Sequence, residues 1–87
     1  MSAQIDTLSV TDSNGSIALS PECYIVKIKN AGTSSCYFNL NAAATTSHFK
    51  LDPEDEIEIG LNVITSVQAI CDSSETTTIQ VIGTDAW

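Results

Sequence analysis

The sequence predicts an all-β domain, a small antiparallel β-sandwich or jelly-roll-like β-barrel of about seven short strands. Three observations lead there. Apolar and β-branched residues recur with a period of two in several short segments. Turn signals separate those segments every eight to twelve residues. No stretch with helical periodicity is long enough, or poor enough in β-branched residues, to make a convincing helix.

Residues 4–10 alternate loosely, with Ile5, Leu8 and Val10 apolar, and run into Asn14-Gly15, a strong short-range hairpin signal. A first hairpin is expected to close there, with Ile17, Ala18 and Leu19 as its short return arm and Ser20-Pro21-Glu22 as its end. Residues 23–29 form the clearest strand of the first half. Tyr24, Val26 and Ile28 share one face, and Cys23, Ile25, Lys27 and Lys29 the other. The next turn is Asn30-Ala31-Gly32-Thr33, followed by a strand over 34–41 with Cys36, Phe38 and Leu40 on one face and Phe38 as a core candidate. The small, polar segment 42–48 is read as an exposed loop.

The stretch 49–60 is the most distinctive. It places five of the chain's eleven acidic residues within seven positions, turns at Asp52-Pro53, and then alternates acid with isoleucine. Ile57 and Ile59 should therefore face inward and Glu56 and Glu58 face water. Lys27 and Lys29 are placed to meet these glutamates across neighbouring strands, an exposed pairing worth about 0.2 to 1 kcal/mol. A strand over 61–71 follows, with Val63, Val67, Ala69 and Cys71 in one phase and Ile64 and Ile70 in the other. Asp72-Ser73-Ser74-Glu75 turns the chain into a last strand over 76–82, in which Thr77, Ile79 and Val81 alternate with Thr78, Gln80 and Ile82. Gly83 ends that strand, and 84–87 are a tail.

Eighty-seven residues make a single domain, 1–87, in which 1–8 is an N-terminal arm or edge strand. A lone core of this size is modestly stable. The net charge of −8, with three lysines and no arginine, is the wrong sign for nucleic acid or an anionic membrane surface. Apolar runs fall far short of the roughly 20 residues that span a bilayer. The first residues lack the basic and apolar regions of a secretory signal, so synthesis in a cytoplasm is expected.

Little here suggests catalysis, and no catalytic residue, cofactor or metal is expected. Cys23, Cys36 and Cys71 are odd in number and widely spaced, which fits buried free thiols better than a disulfide framework or a CxxC motif. The one histidine, His48, lies in the 42–48 loop with no nucleophile or orienting partner suggested by spacing. The acidic cluster lacks the DxDxDG order of a calcium loop. A charged edge that discourages stray strand pairing accounts for it better.

The order of pieces resembles the small all-β virion proteins of tailed bacteriophages. The residues that carry the likeness are the strand end Lys29-Asn30-Ala31-Gly32, the strand Cys36-Tyr37-Phe38-Asn39-Leu40, the turn Leu51-Asp52-Pro53-Glu54-Asp55, and Val67-Gln68-Ala69-Ile70-Cys71-Asp72 leading into Ile79-Gln80-Val81. In such proteins a Leu-x-Pro-Gly-x turn commonly precedes a strand; here Glu54 stands where glycine is usual. The resemblance implies a structural role in the virion, as a capsid decoration or cement protein that binds the major capsid protein as a homo-oligomer, a trimer being the expected state. Ile5, Leu8 and Trp87 are the candidate partner-binding residues, because they lie in terminal segments that one sandwich uses little. The alternatives are a tail or fibre accessory module that contacts the host surface through the 42–48 loop, and a small non-viral binding module or inhibitor.

Overall fold

The computed structural model describes residues 3–84, and within them the side chains of all but residues 3, 21, 61 and 62. Six strands form: β1 (Ala3–Val10), β2 (Gly15–Asn30), β3 (Cys36–Leu40), β4 (Phe49–Leu51), β5 (Glu56–Cys71) and β6 (Thr77–Thr84). All pairings are antiparallel, in the order β1-β6-β2-β5-β3-β4. The protein is all-β, as the alternation predicts.

Two pairs of expected strands are continuous, 17–19 with 23–29 and 56–60 with 61–71, and the short β4 forms before the Asp52-Pro53 turn, so six strands stand where about seven are expected. Pro21 does not end β2, nor does Gly60 end β5's first half. The register slips instead, between Ala18 and Cys23 and again between Cys23 and Ile25. Such bulges leave residues outside the ladder, which is where a proline without an N–H can sit. They also reset the inward phase. Cys23 and Val26 are both fully buried, as are Ile64 and Val67, although strict alternation would put the members of each pair on opposite faces.

These irregularities divide the sheet. Residues 15–18 of β2 pair with 66–69 of β5, whereas 25–29 pair with 56–60. β6 joins only the second half of β2, and β3 joins only the second half of β5. A flat sheet without helices would leave both faces wet. Here the two halves fold over one another, so that Val26, Ile28, Ile79 and Val81 from one part share a core with Ile17, Phe38, Val67 and Ala69 from the other.

The expected first hairpin does not form. β1 pairs along its length with β6, from Ala3↔Thr84 to Val10↔Thr77. An Asn-Gly hairpin of the tight primed type needs positive φ at both residues, and neither Asn14 nor Gly15 has it. The Asn14 side chain bridges loops instead: its Oδ1 accepts from Ala44 N–H at 2.8 Å and its Nδ2 donates to Gln68 Oε1 at 2.9 Å. Ala44 is correspondingly buried inside a loop that is otherwise exposed. Of the two roles expected for 1–8, the described residues form an edge strand. That strand contributes more to the sandwich than expected, since Val10 is fully buried and Leu8 packs on the core.

Asn30 is the other departure. It was expected simply to turn the chain, yet it is fully buried. Its Nδ2 donates to Ser34 O at 2.8 Å and Leu51 O at 2.9 Å; its Oδ1 accepts from Thr77 Oγ1 at 2.6 Å and Gly32 N–H at 3.1 Å. Two donors and two lone pairs are all that an amide offers, and all are used. Its backbone N–H donates to Asp55 O at 3.0 Å, and its carbonyl accepts from Glu54 N–H at 2.8 Å. Gly32 must stay small here, because a Cβ would collide with Thr77 and with the Thr78 nitrogen.

The pinned turn resolves the question raised by Glu54. Asp55 N–H donates to Asp52 O at 3.0 Å, and Glu54 has φ 71° after Pro53, the pattern of a type II turn. Glutamate is held in a conformation that favours glycine. Glu54→Gly should raise unfolding stability in urea by about 0.5 to 1 kcal/mol, the relieved strain exceeding the added chain entropy; a loss would show that the carboxylate makes a compensating contact. Asn30→Ala, which orphans four groups, should lower stability by about 3 kcal/mol. A loss below about 1 kcal/mol would mean that water replaces the amide.

Candidate functional site

The inner surface of the sandwich is committed to packing. Among the described residues, every buried side-chain nitrogen and oxygen has a hydrogen-bond partner, and no group of three or more His, Cys, Asp or Glu gathers where it could hold a metal. His48 sits on the exposed loop, where its Nδ1 accepts from Thr45 N–H at 2.8 Å. That bond places the proton of the neutral ring on Nε2. The ring serves the loop's own turn.

The acidic stretch is likewise engaged locally. Lys27 lies opposite Glu58 and Lys29 opposite Glu56 in the ladder, and the ion pair forms on the diagonal, Lys27 Nζ to Glu56 Oε1 at 3.2 Å. Asp52 Oδ1 accepts from Ser35 Oγ at 2.6 Å and lies 3.8 Å from Lys50 Nζ. Ile57 and Ile59 are half-buried and pack against the core, while Glu56 and Glu58 are exposed, as the period of two requires. Among the described residues, 56–60 pair with β2 alone, so the glutamates lie along an edge of the described sheet.

All three cysteines are buried, and none is in a disulfide. Burial, and then the neighbouring Cys71, push the Cys36 thiol up to about 12. Burial, followed by the carboxylates of Glu75 and Asp72, raises Cys71 as well. A thiol so shifted holds almost no thiolate near neutral pH and is a poor nucleophile.

What the surface does offer is apolar. On the outward face of the β1–β6 pair, Ile5 is 76% exposed and stands directly opposite Ile82, which is 43% exposed. β1 is the outermost strand of the described sheet, paired with β6 on one side. The second apolar feature is an open groove of about 520 Å³ between β3–β4 and the first half of β5, lined by Phe38, Leu40, His48, Phe49, Ile57 and Ile59. Phe49 is 63% exposed there, its ring 5.7 Å from that of Phe38.

The three residues singled out in the sequence thus differ in placement. Ile5 is open to solvent; Leu8 turns inward over Gly15 and packs on the core; Trp87 lies outside the described residues. Leu8 is therefore a packing residue, a consequence of sharing a strand face with Val10. Sequence reading missed Ile82 and Phe49. Ile82 was legible, being the one apolar residue in the otherwise polar phase Thr78, Gln80, Ile82.

No protein-family model and no curated protein sequence matches this chain. Solved structures do resemble it. A cupin superfamily protein from Desulfitobacterium hafniense superposes with a TM-score of 0.59 at 15% identity, over 97% of this chain and 68% of its own. A cupin-2 domain protein from Shewanella frigidimarina gives 0.55 at 10% identity, over 94% and 70%. A Bacillus endospore appendage structure gives 0.48 at 8% identity, over 98% and 87%. The two cupin likenesses, at such identities, show the fold alone: a small antiparallel sandwich of the jelly-roll kind.

The half-buried wall of the groove gives a direct test of the face assignment. Ile57→Ala should lower unfolding stability in urea by about 1 to 3 kcal/mol, and Glu58→Gln should change it by less than about 0.5 kcal/mol. Equal effects would mean that the inward face of β5 is misassigned.

Proposed function

We propose that this protein is a structural component of a virion, a decoration or cement protein that binds the head of a tailed bacteriophage and stabilises it. It has no catalytic role in this reading. It acts as a homo-oligomer, a trimer, seated on the major capsid protein, and reaches the virion from the cytoplasm of the host. The observation that carries the proposal is the outward Ile5–Ile82 pair on the outermost strand of the described sheet, in a molecule whose buried polar side-chain atoms, among the described residues, are all hydrogen-bonded. An eight-residue edge strand with a single charge, Asp6, is poorly defended against pairing with another chain. Small size favours the same conclusion, since burying extra surface in an assembly stabilises a modest core. The resemblance of the turn and strand order to phage virion proteins supplies the biological setting.

The apolar groove beside the 42–48 loop favours a second reading, a tail or fibre accessory module that contacts a host-surface ligand through Phe49. Sedimentation separates the two. The full-length protein should co-sediment with purified heads and not with tails or host envelope. Deleting 1–8 is a poor probe, because it removes Leu8, which packs on the core, and six of the eight residues of a paired strand. Ile5→Asp is the better one. It should weaken head binding, or association between protomers, at least about tenfold, leaving the β-sheet circular-dichroism signal unchanged. Unaltered association by Ile5→Asp would remove this face as the docking surface, and indifference of the intact protein to heads would remove the decoration reading.

A further inference from the structure

Cys36 opens β3 and Cys71 closes β5, and the antiparallel register sets them directly opposite one another. The type of pairing follows from where Cys71 spends its backbone. Its N–H donates away from β3, to Thr11 O at 2.7 Å, and Cys36 in turn pairs with Leu51 of β4 on its far side. The two cysteines are therefore a non-hydrogen-bonded pair, the kind in which facing Cα atoms lie about 4.5 Å apart and side chains approach most closely. That spacing falls within the Cα range of a disulfide, about 4.4 to 6.8 Å. Both side chains point into the core, with exposures of 0% and 1%.

We propose that Cys36 and Cys71 form a latent cross-strand disulfide site, closed by exchange with a small-molecule disulfide and reopened by a thiol. The step balances without any other oxidant. One cysteine thiolate attacks the small disulfide RSSR, forming a mixed disulfide and releasing RS⁻; the second attacks the protein sulfur of that mixed disulfide and releases another RS⁻. The two cysteine protons leave with the two released thiols, so the protein loses two hydrogens and RSSR is reduced to two RSH. Cys23 takes no part. It lies on β2 opposite Ile64, with Gly83 kept small beside its sulfur.

The environment sets the rate of closure. With Cys36 held at about 12 and both sulfurs buried, the closed sandwich resists exchange, so oxidation proceeds through transient opening of the strand ends. Closure would stitch β3 to β5 beside the Asn30 amide, whose Nδ2 lies 4.0 Å from Cys36 Sγ. It would lock the part of the sheet that is otherwise joined by the short strands β3 and β4. This inference is independent of the virion reading.

The test uses reduced, full-length protein incubated with oxidised glutathione, with and without urea kept below the unfolding transition. The denatured product should titrate one thiol where the reduced protein titrates three. Its mass should fall by two hydrogens, peptide mapping should recover 36 linked to 71, and urea should accelerate the conversion. The midpoint of thermal unfolding should rise by about 10 °C, since the bond closes a long loop. Cys23→Ser should still close the link, and Cys71→Ser should not. Three thiols after prolonged oxidation, a stable glutathione adduct, a link to Cys23, or a lowered melting midpoint would each overturn the proposal. Mapping on the wild-type chain decides the matter even if a cysteine variant fails to fold.

Discussion

One buried amide holds this sandwich together at its most crowded end. Asn30 stands where β2 finishes, and its side chain and backbone bind the 31–34 loop, β4, the 52–55 turn and Thr77 of β6. A protein without helices has to end several strands in one place, and each ending leaves carbonyls and N–H groups that the ladder no longer satisfies. Leu51 O and Ser34 O are such groups, and Asn30 Nδ2 reaches both. The net gain from each bond is about 1 kcal/mol, but leaving any partner buried and unpaired costs about 1 to 3 kcal/mol, so the network is more consequential broken than made. Gly32 and the strained Glu54 are both accommodated around it.

The second constraint is economy of core. Two sixteen-residue strands, each belonging to both layers, allow a small chain to enclose one apolar cluster with six strands. Bulges make this possible because they bend the strand and change which residues face inward, so Cys23 and Val26 can both be buried. Among the edges of the described sheet, two differ in character. Residues 56–60 present Glu56 and Glu58, whose charge opposes the approach of another acidic chain, whereas β1 presents Ile5 and a nearly uncharged backbone edge.

That asymmetry is what gives the functional reading its direction. The chain has a net charge of −8, and among the described residues its buried polar side-chain atoms are all hydrogen-bonded, while its surface carries the apolar Ile5–Ile82 pair and the apolar groove at Phe49. Both are apolar surfaces open to solvent. Both also sit close to segments read from sequence as candidates for contact, the N-terminal strand and the 42–48 loop.

The fold class, the inward face of Ile57 and Ile59, the burial of Cys36 and Phe38, and the lysine–glutamate apposition were legible because each depends on alternation within one strand or across one pair. The sequence by itself also determined the Pro53 turn, because proline's fixed φ acts locally whatever surrounds it. Only tertiary structure decided that β1 pairs with β6 and not with its chain neighbour, since local turn chemistry at Asn14-Gly15 is worth less than an eight-residue ladder burying Val10. It alone decided that Pro21 lies within a bulged strand, and that Leu8 faces the core while Ile5 meets Ile82 outside. Above all it decided Asn30: beside its local partners Gly32 and Ser34, its side chain meets Leu51 O and Thr77 Oγ1 from distant parts of the chain, and no local pattern can encode a convergence that exists only once those parts are packed.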